Sequence, residues 1–172
     1  MNRVVEQGVP EGSLLQQCAN RPGTYTDAFF ADVKGAPSLQ DYIEAMFDSP
    51  VFRMERIVLA ITVLKPAFRK DVEALAMGEG DRLAGWKTEQ RTSNELLMAV
   101  ENGQVRTWLK VEAMPAGVSR VWFGSAVVPK HRTDGKQEGL GLAFRLMLRV
   151  HKFYSRVLLR SATRRLWAHA GS

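Results

Sequence analysis

One cysteine, Cys18, is all the thiol chemistry in a chain of 172 residues. It leaves no partner for an intrachain disulfide and too few thiolates for a cysteine-based zinc cage. That scarcity points to a reducing compartment, and a cytoplasmic location is the expectation. Histidine is nearly as sparse: His131, His151 and His169 show neither the i, i+3 or i+4 spacing of a metal pair nor the pattern of a nucleophilic triad. Spacing therefore assigns no catalytic residue, no metal ligand and no cofactor. The longest apolar run, Ile57 to Leu64, is interrupted by Thr62 and is far too short to span a bilayer, while Met1 to Gln7 lacks the apolar stretch of an export signal. A soluble chain is expected, with no transmembrane segment.

Phosphate-binding loops are also missing. Gly139-Leu140-Gly141 lacks the third glycine of a dinucleotide fingerprint and the strand that should precede it, and Gly78-Glu79-Gly80 lacks the following Lys-Ser/Thr. Both read as turns or a helix entry. Acidic residues vanish after Glu138, although the chain holds 18 in all against 24 lysines and arginines, for a formal charge of +6. The basic surplus gathers in the C-terminal segment, at Arg145, Arg149, Lys152, Arg156, Arg160, Arg164 and Arg165. Such a surplus attracts nucleic acid, anionic lipid or an acidic protein. No helix-turn-helix, zinc-finger or RNA-recognition motif accompanies it, so no specific nucleic-acid partner is indicated.

With 45% hydrophobic and 24% charged residues, the chain has the balance of a globular protein able to bury one core. Residues 1–22, rich in Gly and Pro, read as a leader on the surface of that domain or partly disordered. Residues 23–167 read as the domain itself, and 168–172 as a flexible tail. Tyr25 to Val33 is aromatic-rich and bounded by Pro22-Gly23 and Gly35-Ala36-Pro37, which predicts a strand at a sheet edge. Ser38 followed by Asp41 opens a helix over 38–48. A second helix, apolar all round, is expected over 51–64, and a third around Phe68, Val72 and Leu75, ending before Gly78.

From Gly85 to Val128 the pattern changes to alternation, with Asn102-Gly103 marking a tight hairpin. Strands near 85–92, 95–101, 104–114 and 118–128 form an antiparallel meander. Residues 139–166 then form one helix of about 40 Å. On it Leu140, Phe144, Leu146, Met147, Val150, Phe153, Tyr154, Val157 and Leu158 fall on an apolar side, opposite Arg145, Arg149, Lys152, Arg156 and Arg160.

Strand, helices, antiparallel strands and a long last helix make an α+β arrangement in which a curved sheet packs around its terminal helix. Together with Tyr25-Thr26-Asp27-Ala28-Phe29, Arg91-Thr92-Ser93-Asn94-Glu95-Leu96-Leu97 and His151-Lys152-Phe153-Tyr154, this order resembles the helix-grip fold of the START/Bet v 1-like (SRPBCC) superfamily. The likeness is to a bacterial branch of unknown function, sometimes fused to nucleoside-diphosphate-sugar epimerase-like domains. A polar strand of that branch stands here as Arg106-Thr107-Trp108-Leu109, and a Phe-His pair as Phe153-Tyr154. The resemblance implies a cavity between sheet and helix that holds a small hydrophobic ligand without catalysis. Candidate lining residues are Trp86, Trp108, Trp122, Phe144, Met147, His151 and Tyr154, the last two as polar anchors. Two alternatives stand beside it. One is a cyclase- or hydratase-like enzyme using His151 with Tyr154 or a nearby carboxylate. The other is an interaction module whose basic helix face meets an anionic partner.

Overall fold

The computed structural model describes residues 3–49, 69–101, 103–128 and 142–170, with the side chains of the last helix described over 149–168. The helix expected over 51–64, Asn102, and the 129–141 connection with its glycine pair lie outside the described residues. Seven strands form one antiparallel sheet in the order β1-β2-β7-β6-β5-β4-β3. They are β1 Val5–Gln7, β2 Tyr25–Lys34, β3 Arg82–Leu83, β4 Trp86–Arg91, β5 Glu95–Val100, β6 Val105–Met114 and β7 Val118–Val127. The helices are α1 Gln16–Ala19, α2 Leu39–Phe47, α3 Arg69–Met77 and α4 Leu142–Ala170. The meander thus forms as its alternation predicts. β2, however, is not the edge, because β1 pairs along its outer side through Val5↔Phe30 to Gln7↔Ala28.

Local chemistry sets the helix ends. Ser38 Oγ accepts from the Asp41 amide at 3.1 Å while the Asp41 carboxylate accepts from the Ser38 amide at 2.8 Å, a reciprocal cap that starts α2. α3 stops where Gly78 takes a positive φ, and the Arg91 guanidinium donates to the freed carbonyls of Leu75 and Ala76.

Strand alternation divides the sheet into two covered faces. On one, Phe29, Ala31 and Val33 of β2, Leu109 and Val111 of β6 and Val121 and Phe123 of β7 meet Tyr42, Ile43 and Met46 of α2, Val72 and Leu75 of α3 and Leu158, Leu159, Ala162 and Leu166 of α4. On the other, Ala28, Phe30, Leu97, Trp108, Trp122 and Ala126 are covered by Leu14, Leu15 and Cys18. Residues 9–19 form a strap over this face, because Leu14-Leu15 has an aromatic floor to bury against. A polar contact fixes the strap: the Glu95 carboxylate accepts from the Leu14 amide at 2.8 Å and from the Trp108 indole N–H at 2.8 Å, with Lys110 at 3.5 Å. Burial of Glu95 is tolerated because donors surround it. Burial also raises the Cys18 thiol pKa above its ordinary value, against the opposing pull of Arg106 and Arg21, which keeps it a small apolar packing group.

The apolar side of the last helix differs from its hydropathy pattern. Val150 and Phe153, expected inward, are 63% and 69% exposed. The buried line instead runs through Ser155, Leu158, Leu159, Ala162, Thr163 and Leu166. Small residues at 155, 162 and 163 let the helix lie close to the layer beneath, and Ser155 and Thr163 return their hydroxyl protons to carbonyls of their own helix.

Gly124 of β7 is the tightest point under the strap. A methyl there would stand 2.6 Å from Leu15 Cδ2 and 2.9 Å from both Trp108 Cε3 and the Asp27 carbonyl oxygen. Gly124→Ala is expected to destabilise the fold by about 1–3 kcal/mol through overpacking. Chemical denaturation measures this, and an unchanged midpoint would contradict the close approach.

Candidate functional site

Polar residues interrupt the helix-facing side of the sheet at one end. On β2 the alternation that points Phe29, Ala31 and Val33 toward the helices does the same for Tyr25 and Asp27. The β2–β7 register sets Asp27 directly across from Ser125, a spacing of about 5 Å between Cβ atoms. α4 runs over this pair and lowers His151 onto it. His151 Nε2 lies 3.0 Å from Ser125 Oγ and 3.4 Å from Asp27 Oδ2, and the Tyr25 hydroxyl donates to the same Oδ2 at 3.1 Å. Ser155 Oγ, one turn along α4, is 3.5 Å from Nε2 and donates to the His151 carbonyl oxygen at 2.9 Å.

The Asp27 side chain is 2% exposed, whereas His151 keeps 32% of its side chain open. Asp27 Oδ1 is buried and has no hydrogen-bond partner among the described residues. A carboxylate only accepts, so an attractive contact with Oδ2 needs the proton on Nε2. Hydroxyl and carboxylate then share one ring nitrogen. In a nucleophilic triad they take opposite nitrogens, so the set lacks the relay that would activate Ser125. What remains is a carboxylate–imidazole pair steadied by a phenol and two hydroxyls. Burial, with the Asp27 charge and hydrogen bond behind it, pushes the Tyr25 phenol well above its ordinary value.

Beside this cluster β1 leaves the sheet. Gln7 is its last paired residue, and where Gly8 and Val9 diverge from β2 a cleft of about 350 Å³ opens, lined by Glu6, Gln7, Gly8, Val9, Thr26, Asp27 and Ala28. This volume is at the small end of ligand sites. Glu6, on its rim, is held by Lys152 at 2.5 Å and Arg156 at 2.7 Å, which ties β1 to α4.

The sequence-derived candidates separate. His151 is in the cluster. Tyr154, one turn on, is half-buried against the helix-side core. Trp108 and Trp122 are on the far face of the sheet beneath the strap and share no site with His151. Trp86 packs on the helix side but on β4, four strand spacings from β2, about 19 Å away. The side chains of Phe144, Met147 and Arg145, like His131 and His169, lie outside the described residues. Arg149 and Arg160 point to solvent, while Lys152 and Arg156 are spent partly on Glu6. Tyr25, Asp27 and Ser125 are not among the sequence-derived site candidates, although Tyr25 and Asp27 belong to the first motif of the resemblance. The available signal was an acid two residues before Phe29 on a face otherwise apolar.

Among the described residues no three His, Cys, Asp or Glu side chains gather as a metal site, and no helix is long and apolar enough to cross a membrane. No protein-family model matches the chain, and no curated protein matches its sequence.

The raised Tyr25 pKa has a readable sign. A phenol whose folded pKa exceeds the ordinary value of about 10 contributes stability that is complete below pH ~10 and is lost as pH rises toward the folded value. Ultraviolet titration should show Tyr25 and the fully buried Tyr42 both ionising late, and Tyr25→Phe removing one of these late ionisations. Asp27→Asn should bring the Tyr25 step to lower pH without restoring the ordinary value, since burial is the larger cause. A Tyr25 that titrates normally in the folded protein contradicts the contact with Asp27.

Proposed function

We propose that the protein binds a small molecule in the cleft beside β1, with a hydroxyl or amine of that molecule donating to Oδ1 of Asp27. The observation carrying this reading is that buried, unpartnered carboxylate oxygen, next to a partly open histidine and a cleft of ligand size. Leaving a buried acceptor without a donor costs about 1–3 kcal/mol, and a ligand donor removes that penalty. Val9 and Ala28 offer the apolar walls, and Lys152 and Arg156 hold Glu6 at the rim. The resemblance to helix-grip proteins implies a ligand on the helix side, where Asp27 and His151 meet, and the cleft opens beside that pair at the β1 edge of the sheet. The polar anchor in this reading is Asp27 with His151, Tyr25 and Ser125, in place of His151 with Tyr154.

A second, catalytic reading draws on the Asp27–His151 contact. An imidazole with one nitrogen facing a carboxylate and a third of its surface open can move a proton on a bound molecule, the chemistry of a cyclase or hydratase. The two readings part on one variant. Under binding alone, wild type and His151→Ala retain a molecule of the same mass, the variant more weakly; under catalysis the wild type converts a supplied substrate and His151→Ala holds it unconverted.

Native mass spectrometry of the purified protein is the direct test. A co-purifying small molecule is expected in the wild type. Asp27→Asn, which keeps shape but removes a charged acceptor, should weaken its retention about 10- to 100-fold. If no small molecule is retained, and a library screened by thermal shift yields no ligand sensitive to Asp27→Asn, the binding reading fails.

A further inference from the structure

The outward line of α4 is unlike the rest of the described surface. Arg149, Phe153, Arg156, Arg160, Arg164 and Trp167 follow one another at steps of four, three, four, four and three, and so stack along one side of the helix. The line is about 27 Å long. Phe153 is 69% and Trp167 46% exposed, two of the few large apolar side chains left open among the described residues. Arg149, Arg160 and Arg164 are exposed and meet no carboxylate among the described residues, whereas Arg156 shares Glu6 with Lys152. Lys34 adds a further cation at the far end, its Nζ 5.9 Å from the Trp167 ring centre.

The geometry points to this line as a docking face for an anionic lipid bilayer, on which α4 lies parallel to the surface. Exposed guanidinium groups along one line, three of them meeting no carboxylate among the described residues, suit a plane of lipid phosphates and carboxylates. Two aromatics set between them reach the headgroup boundary, where amphipathic rings are favoured. Single-stranded nucleic acid fits less well. It wants a groove with open ring faces for stacking, and here the rings stand on the ridge of a helix with Lys34 already over Trp167. This face is separate from the Asp27 cleft and does not depend on it.

Vesicle flotation at low salt tests the assignment, with vesicles of neutral phosphatidylcholine and vesicles containing about 30 mol % phosphatidylserine. Binding to the anionic vesicles alone, lost as salt rises, is expected. Arg149→Gln/Arg160→Gln/Arg164→Gln should lower partitioning on the order of 100-fold, and Arg164→Gln by itself about fivefold. Phe153→Ala/Trp167→Ala should weaken binding while its salt dependence persists. Thermal melts of each variant check that the fold is intact, and Arg164→Gln provides the measurement if the triple variant does not fold. No binding to anionic vesicles, equal binding to neutral ones, or capture of a single-stranded oligonucleotide without vesicle binding would overturn the proposal.

Discussion

The register between β2 and β7 is the constraint on which the remainder depends. Ten consecutive residue pairs, from Tyr25↔Val127 to Lys34↔Val118, fix which side chains of both strands point to the helices. A slip of β2 by one residue against β7 would turn Phe29, Ala31 and Val33 out of the helix-side core and put Phe30 into it. The same register sets Asp27 opposite Ser125 and Gly124 opposite Ala28, so the polar cluster and the narrow gap under the strap are two products of one alignment.

Covering both faces of an antiparallel sheet raises the question of what each cover needs. The helix side is filled by large apolar side chains and asks little of the backbone. The strap side is thin, and three apolar side chains from a segment with one short helix must shield two tryptophans. Its hold comes from combining burial with hydrogen bonds: Glu95 binds strap and floor at once, and the Arg106 guanidinium is paired with Glu89 at 2.7 Å nearby. A buried carboxylate with several donors suits such a thin layer, since it adds direction to contacts that apolar packing alone leaves free to slide.

Much of the architecture was legible because it rests on short-range rules. The Ser38/Asp41 cap, the alternation through β6 and the glycine at 103 declare α2 and the hairpins directly. The facing of the last helix was not, because hydropathy ranks Val150 and Phe153 above Ser155, Ala162 and Thr163, while close packing on the layer beneath favours the small residues. The candidate site was half visible. His151 stood out as a polar residue on a long helix, but its partners come from strands more than a hundred and about twenty-five residues away in sequence, and only their pairing brings them together. Trp108 and Trp122 were visible as aromatics, and their side was not, since it hangs on a register no single strand encodes.

The N-terminal segment passes around the sheet edge. Glu6 grips Lys152 and Arg156 on the helix side, and a few residues later Leu14 and Leu15 lie on the opposite side. A chain that is fastened to both layers makes them one cooperative unit: an opening fluctuation that lifts the strap also pulls on the strand whose departure shapes the cleft. Val9 and Ala28 belong both to the wall of the cleft and to the cluster under the strap, so under the proposed binding an occupied cleft orders the strap, and protection of the Trp108 region from hydrogen exchange reports it.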